Sequence, residues 1–474
     1  MEGLNIKHFI ISVCLVTWQT VACAQEAASY SLPQCIDLAM QQNQTLINAN
    51  LQVKNNTAAL RQSEASLLPS LSGYANQGIS TGKSINPYTN AFINQEVGTG
   101  QYGLNANLVL FSGFSTLQAI RQNALACEAG KMELAQARMD VSIQVTQAYL
   151  QILSCEELMN QALSQMAASQ AQLDRLQVLQ AHEAVSPSLL YDTRAQLSND
   201  KLSLIQARGA LVNAKLAMSQ LLNVLIPEDA RFEKTEFQFD LRAREDDLAA
   251  GTLADALPAV RATILRSSSA LKKWRVSRGA LFPSVSLNGA LASNYSSAAL
   301  SQQAVGFTEE PTGAYVNAAG TLLPVYETRN SYRSTRIGFN DQVRNNFNSY
   351  IGLSLQIPLF NGLRTRTQNV QSEIAYRQAK VQEQSTLIRY TSLLSQLINE
   401  HRNAYERYMV LLQQVYDYEN SFRIASAKFE NGAINSVDYI AAKNNFDKSS
   451  AALINARYEC LFKSRVIDLY RRPE

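Results

Sequence analysis

The sequence predicts an α+β membrane protein built from two tandem structural repeats. In this fold, three copies of the chain close a twelve-stranded β-barrel, with four strands from each copy, and long coiled-coil helices continue from it. Three observations lead to this prediction. Glycine and proline cluster in two segments, the segments between them carry heptads, and this order of segments occurs twice within the 474 residues.

Residues 1–24 have the features of a secretory signal peptide. Lys7 and His8 precede an apolar run from Phe9 to Trp18, and residues 22–24 (Ala-Cys-Ala) provide a small-x-small cleavage site. The run is shorter than the ~20 residues that a membrane-spanning helix needs. Acylation of Cys23 is the alternative, although the residues before it lack the leucine that is usual in lipoproteins.

The composition argues against several functional classes. A formal net charge of +3 gives no reason to expect nucleic-acid binding. The four cysteines beyond the leader form no CxxC motif, and the three histidines are scattered, so we expect neither a metal site nor a cofactor. No spacing of Ser, His, Asp or Cys indicates catalysis. We therefore predict that the protein is not an enzyme and has no catalytic residues.

Helix-breaking residues are almost absent from two long segments. From Ser115 to Ser186 there is no proline and a single glycine, and from Leu359 to Arg472 there is no proline and only two glycines. A helix interior disfavours glycine by about 1 kcal/mol and proline by about 3 kcal/mol. Because 15 of the 20 glycines lie within 68–113 or 279–362, those segments are predicted to be strand-like.

Heptads in the first long segment predict a coiled coil. Val145, Ile152, Met159, Met166 and Leu173 recur every seven residues. A second apolar row runs beside them, and Ser169 interrupts that row. This 3.5-residue period is typical of left-handed supercoils with knobs-into-holes packing.

The glycine-rich segments contain alternating residues with a period of two. We predict strands at about 68–80, 101–111, 282–294 and 347–360, each with an apolar face and a small or polar face. In the last of these, Ile351, Leu353 and Leu355 alternate with Gly352 and Ser354. The pattern fits a membrane barrel with a wet lumen, and the alternative is a soluble sandwich.

The two halves of the chain contain similar motifs in the same order. Residues 68–72 (Leu-Pro-Ser-Leu-Ser) return at 282–286, and residues 110–113 (Leu-Phe-Ser-Gly) return at 359–362 with an offset of 249. The first repeat, 25–250, would contain a helix, two strands, a helical hairpin at about 115–222 and a mid-barrel segment at 225–250. The second, 251–474, would add an outer loop at about 298–345, a hairpin at about 363–465 and a C-terminal tail. Four strands cannot close a barrel, whereas twelve from three copies leave a channel.

These motifs in this order resemble the TolC-like outer membrane efflux protein family. The similarity lies in the duplicated unit, in Ile357-Pro-Leu-Phe-Asn-Gly362 and in Gly432-Ala-Ile-Asn-Ser-Val-Asp438, and it covers nearly all of the mature chain. It implies a homotrimer among outer-membrane lipids of a Gram-negative bacterium, in which a long α-helical coiled-coil barrel continues the twelve-stranded β-barrel into the periplasm. It also implies a channel that works with a periplasmic membrane-fusion adaptor and an inner-membrane transporter of RND type.

The resemblance also implies roles for individual residues. In this family the adaptor would contact the helix-tip turns, which here are His182, Glu183, Ala184, Val185, Ser186, Asn431, Gly432, Ala433, Ile434, Asn435 and Ser436. The strand–helix junctions would contain Pro69, Gly113, Pro283, Pro358 and Gly362.

Asp438 matches an acidic residue that constricts the periplasmic entrance in the family. The second acid of that pattern is replaced by Ala441, and Glu183 stands where glycine is usual. Alternatively, Asp438 accepts hydrogen bonds at a helix start. Two other functions stay open: a periplasmic coiled-coil scaffold or stalk without a pore, and a duct for protein secretion.

Overall fold

The structure is a computed structural model that describes residues 29–85, 90–94, 96–182, 185–234 and 254–471. The expected signal peptide, Glu183, Ala184, residues 235–250 of the expected mid-barrel segment and residues 472–474 of the tail lie outside these ranges. The described residues form two units. The helical unit contains residues from 29–56, 126–267 and 379–471, and the sheet unit contains residues from 57–125 and 268–378.

The two longest helices lie in the segments that lack proline and contain almost no glycine. Their bounds are α1 Leu32–Gln42, α2 Gln44–Ala65, α3 Ser115–Ala181, α4 Pro187–Leu222, α5 Pro258–Gly279, α6 Phe339–Asn345, α7 Arg364–Glu430 and α8 Ser436–Arg471. Both α3 and α7 have 67 residues, about 100 Å of helix. Both α4 and α8 have 36 residues. Within the described residues, no helix combines the length and the hydropathy that a membrane span requires.

The heptad pattern corresponds to the packed side of α3. Val145 and Ile152 are fully buried, and Leu173 is buried as well. Ser169, the polar residue that interrupts the second row, is also buried. The period of the sequence therefore identifies the packed face of this helix, as expected when helices pack along an apolar seam.

A short parallel β-ladder lies against the middle of α3. Strand β1 (Ser29–Tyr30) pairs with strand β6 (Arg231–Phe232). The ring of Phe232 stacks on Tyr30 and meets Tyr149 edge-on. The Tyr149 hydroxyl lies 2.7 Å from the carbonyl oxygen of Glu233. The ladder is thus fixed to the helix by an aromatic cluster and a buried hydrogen bond.

The sheet unit contains one four-stranded antiparallel sheet and two separate hairpins. The sheet has the order β10 (Asn348–Gln356), β7 (Ser284–Ser296), β5 (Val97–Ser112) and β2 (Ser70–Ser80). The shorter hairpin pairs β3 (Lys83–Ile85) with β4 (Phe92–Asn94), and the longer pairs β8 (Leu300–Ala318) with β9 (Thr321–Arg336).

The strand register places like residues side by side on the sheet. Leu353 pairs with Leu287, which in turn pairs with Leu108, so these three leucines share one face. On the other face, Asn107 donates to Asn288 at 2.7 Å, and Asn288 donates to the hydroxyl of Ser354 at 3.0 Å. Alternation within each strand thus becomes an apolar face and a polar face across the whole sheet.

The junction motifs lie next to the strand ends. Pro69 and Pro283 immediately precede β2 and β7, and Pro358 follows the end of β10. Gly113 and Gly362 have φ values of 60° and 65°, and the residue after each of them also has a positive φ. A Cβ atom at Gly113 would lie 2.3 Å from the carbonyl oxygen of Gly279. Glycine is required there both by conformation and by space.

The segment expected as an outer loop, about 298–345, contains regular structure. It forms the β8–β9 hairpin and the short helix α6. The hairpin is exposed along both strands, so neither face needs an apolar row. This exposure explains why alternation did not indicate the hairpin, because alternation reports a buried face.

Candidate functional site at the helix-hairpin turns

Glycine closes the turn between α7 and α8. Gly432 has a φ of 68°, a conformation that L side chains rarely adopt. Its N–H donates to the carbonyl of Phe429 at 3.1 Å, and the N–H of Ala433 donates to the carbonyl of Lys428 at 2.8 Å. These two bonds form a Schellman motif, which satisfies carbonyl groups at a helix end. Gly432 therefore sets the direction in which the chain leaves α7.

Asp438 lies in the first turn of α8, where its side chain is exposed in the single chain. The side-chain oxygen of Asn435, just before the helix, accepts a hydrogen bond from the Asp438 N–H at 2.8 Å. Asn435 thus takes the capping role at this helix start. Among the described residues, the Asp438 carboxylate has no hydrogen-bond or ion-pair partner. A carboxylate in the first turn is favoured by the helix dipole.

The turn between α3 and α4 has a different chemistry. Ser186 has extended backbone angles and precedes Pro187, the first helical residue, whose fixed φ suits that position. His182 and Ser186 are exposed, and Val185 is half-buried. Beyond the turn the two helices are held together by a small apolar cluster that includes Leu173, Leu176, Leu190 and Leu197.

Polar contacts near the turns join the two helical hairpins. The Ser436 hydroxyl donates to a carboxylate oxygen of Asp192 at 2.9 Å. Arg175 and Glu430 form an ion pair at 3.2 Å, with both side chains about half exposed. Exposed pairs of this kind contribute little to stability, typically below about 1 kcal/mol. Their effect is to align α3 with α7 and α4 with α8.

A buried charge cluster, formed by Asp200, Lys443 and Asp447, joins the hairpins at a deeper level. The Lys443 ammonium lies 3.1 Å from Asp200 and 2.8 Å from Asp447. Ser169 donates to Asp200 at 2.5 Å, and Gln196 donates to its other oxygen at 2.9 Å. The cluster therefore connects α3, α4 and α8 through charge-assisted hydrogen bonds in a largely buried site.

Burial and charge act in opposite directions on the pKa values of this cluster. Burial alone would lower the pKa of Lys443, but the two carboxylates outweigh it and raise that pKa above 10.5. Burial raises the pKa of Asp447 above 3.8 despite the lowering effect of Lys443. Two carboxylates face one ammonium, so the ionised cluster has an excess negative charge, which makes protonation of Asp447 easier.

This cluster was not predicted from the sequence. One signal was available, since Ser169 is the polar residue that interrupts an apolar heptad row, and it is the residue that binds Asp200. The spacing of Lys443 and Asp447 by four residues also permits an ion pair on one helix. Nothing local connects either residue with Asp200, because that contact depends on the packing of α4 against α8.

The described residues include four cysteine thiols and other side chains of the types that bind metal ions. In the ranges that the structure covers, no group of His, Cys, Asp and Glu side chains is arranged to hold a metal ion. Cys35, Cys127, Cys155 and Cys460 are all buried thiols. Burial raises the pKa of Cys35 to about 11, so this thiol stays protonated near neutral pH.

The comparisons with known proteins identify both a family and a fold. The model of the outer membrane efflux protein family matches residues 35–224 and 253–467. No curated protein sequence matches significantly.

Several solved structures are similar at low sequence identity. VceC of Vibrio cholerae aligns with a TM-score of 0.74 and 16% identity, over 92% of this chain and 95% of that chain. The CmeC outer membrane channel of Campylobacter jejuni aligns with a TM-score of 0.74 and 19% identity, over 93% and 84%. The open state of the MtrE outer membrane channel of Neisseria gonorrhoeae aligns with a TM-score of 0.70 and 15% identity, over 93% and 88%. At this identity the likeness shows a shared fold. Because the family model matches most of the chain, this protein belongs to the outer membrane efflux protein family and is located in the outer membrane.

Proposed function

We propose that this protein is the exit duct of a tripartite efflux system. Three copies would close a twelve-stranded barrel in the outer membrane, and their helical hairpins would form a continuous tube in the periplasm. The duct is passive, because the energy comes from an inner-membrane transporter, of RND type by family resemblance. A periplasmic membrane-fusion adaptor would join the two.

The four-stranded sheet carries this proposal. Strands β10 and β2 are its two edges, and neither pairs on its outer side with another described strand. Its apolar face is bare, since Leu71, Ile351 and Leu353 are each more than two-thirds exposed in the single chain. Unpaired strand edges are expected to pair with strands of other copies, and an apolar face of this kind is expected to be buried in lipid. A trimer in a membrane provides both the partner strands and the lipid.

The helix-tip turns would form the periplasmic entrance and the adaptor contact. Gly432 and Asn435 present an exposed turn on one hairpin, and His182 and Ser186 present one on the other. Three Asp438 carboxylates would converge at the mouth, where like charges attract cations and oppose each other's ionisation. Opening would separate α7–α8 from α3–α4, a change between two packings of coiled coils. The buried charge cluster lies at this interface and supports that route.

A periplasmic scaffold without a pore is the competing function, and it has less support. A water-soluble stalk has no need for a sheet with exposed leucines on one face and a polar ladder on the other. A duct for protein secretion shares every feature described above. A neighbouring gene that encodes an adaptor or a transporter would distinguish the two.

Planar-bilayer conductance of the detergent-extracted protein, together with its oligomer mass, tests the proposed duct. A trimer that gives small, cation-selective, fluctuating channels is expected. A monomeric, water-soluble protein without conductance would refute the duct and leave the scaffold.

A further inference from the structure

We propose that a basic collar at the strand–helix junctions binds the anionic headgroups of phospholipids in the periplasm-facing leaflet of the outer membrane. The collar consists of Lys272, Lys273, Arg275, Arg278, Arg364 and Arg366. This inference rests on the proposed function, since it requires the sheet to lie in a membrane.

The charge at the two junctions of the second half of the chain is strongly one-sided. Residues 268–282 contain four basic side chains and no acid, and residues 361–372 contain two basic side chains and no acid. None of the six cations forms an ion pair with any residue in the described part of the chain. Farther from the strands on the same two helices, cations do pair: Arg266 with Glu133 at 2.8 Å, and Arg377 with Glu373 at 2.6 Å. The missing counter-charge is therefore a local property of the junctions.

The two basic segments belong to neighbouring helices. The rings of Trp274 on α5 and Tyr376 on α7 stack with centroids 6.0 Å apart. The Ser277 hydroxyl donates to the side chain of Asn369 at 3.4 Å. The guanidinium of Arg278 lies 5.8 Å from the Trp274 ring centroid. These contacts hold the end of α5 beside the start of α7, so their cations act together.

Exposed apolar residues accompany the cations. Leu359 is 92% exposed and Phe360 is 81% exposed, four to seven residues before Arg364 and Arg366. Leu281 and Phe282 are about half exposed and directly follow the α5 end. Apolar side chains with cations next to them match the boundary between acyl chains and phosphate groups, where each basic residue favours anionic lipid by about fivefold.

Two of the six cations are poorly placed for helix stability alone. Arg364 and Arg366 lie in the first turn of α7, where the positive end of the helix dipole disfavours a positive charge. A ligand with negative charge would offset this cost. Phospholipid phosphate is the anion that a membrane supplies at the end of a lipid-embedded strand.

The test compares two variants with equal charge loss, both reconstituted as full-length trimers in mixed phosphatidylglycerol and phosphatidylcholine vesicles. The collar variant is Arg275→Gln, Arg364→Gln, Arg366→Gln. The control is Arg194→Gln, Lys201→Gln, Arg208→Gln, which removes three exposed cations of α4. Spin-labelled lipids report the association constant of phosphatidylglycerol relative to phosphatidylcholine. The unmodified protein and the control should prefer phosphatidylglycerol about fivefold or more, and this preference should fall with added salt.

The collar variant should lose this preference while its oligomer mass and conductance stay unchanged. A preference that persists in the collar variant overturns the proposal, as does an absent preference in the unmodified protein. If the collar variant keeps its preference for phosphatidylglycerol but no longer sediments with purified peptidoglycan, the collar binds the cell wall and the lipid proposal is wrong. Failure of the duct itself would be distinguishable, because the unmodified protein would then form no conducting trimer.

Discussion

At the scale of single residues, Asp438 is the side chain whose role depends most on assembly. Its carboxylate is exposed and has no described partner, and Asn435 caps the helix in its place. If three such carboxylates meet at the entrance, Asp438→Ala should raise single-channel conductance and weaken block by divalent cations, because a ring of negative charge is lost. Conductance in planar bilayers measures both effects.

Glu419→Ala is the control for Asp438, since it removes an exposed acid from α7. It should leave divalent-cation block unchanged. Equal behaviour of the two variants would contradict the entrance ring.

Lys443 has a structural role, because it pairs with the two carboxylates of the buried charge cluster. Lys443→Met would leave the carboxylates of Asp200 and Asp447 facing each other in a buried site, which typically costs about 3–5 kcal/mol. We expect a lower thermal-unfolding midpoint and easier opening of the duct. Replacing all three residues by Asn, Met and Asn should recover most of the stability, because no buried charge then stays unpaired. The control Lys448→Met removes an exposed cation of the same helix and should have little effect.

The raised pKa of Asp447 predicts that the stability of the folded protein depends on pH, in a direction set by burial of the carboxyl group. Its pKa is raised in the folded protein, so the folded state binds the proton more readily than the unfolded chain does. Its contribution to stability therefore increases as pH falls through the raised pKa, and it levels off below the ordinary value of 3.8. On acidification, the unmodified protein should gain thermal stability relative to Asp447→Asn. A difference between the two that does not change with pH would exclude this assignment.

At the scale of elements, the helical hairpins depend on their turns. Gly432→Ala places a Cβ atom at a φ of 68° and should destabilise the α7–α8 hairpin by about 1–2 kcal/mol. Gly209→Ala is a contrasting variant within α4, where no atom lies within 4 Å of the added Cβ. It should stabilise by up to about 1 kcal/mol. Thermal unfolding of both variants tests whether their stability changes in opposite directions. A Gly432→Ala variant as stable as the unmodified protein would refute the requirement for glycine at this position.

The helices of the two halves agree closely in length, whereas the strands do not. Helices α7 and α8 begin and end 249 residues after α3 and α4. Strand β5 has 16 residues and β10 has nine. Strand β5 is paired on both sides within the sheet, and β10 on one side only.

At the scale of the whole molecule, the two faces of the sheet predict opposite effects for neighbouring residues. Leu353→Lys would place a charge on the apolar face, which costs up to about 2–4 kcal/mol in each copy when that face meets lipid. Ser354→Lys would place the same charge on the polar face and should be tolerated. The yield of trimer in outer-membrane extracts measures the contrast. Equal loss in both variants would argue against a barrel with a lipid face and a wet lumen.

Local patterns in the sequence were sufficient to predict the long helices and the strands of the sheet. The absence of glycine and proline predicted the long helices, heptads predicted the packed face of α3, and alternation predicted the strands of the four-stranded sheet. Each of these patterns reflects a constraint that acts within a few residues: backbone hydrogen bonding in helices, or burial of one face.

Features that depend on contacts between distant residues became apparent in the folded chain and not before. The β8–β9 hairpin escaped prediction because both of its faces are exposed, so no apolar period is required. The buried charge cluster escaped because Asp200 and Lys443 are 243 residues apart and meet only when α4 packs against α8. Pairing of buried charges depends on geometry and desolvation at the packed interface, and no local pattern in the chain specifies either.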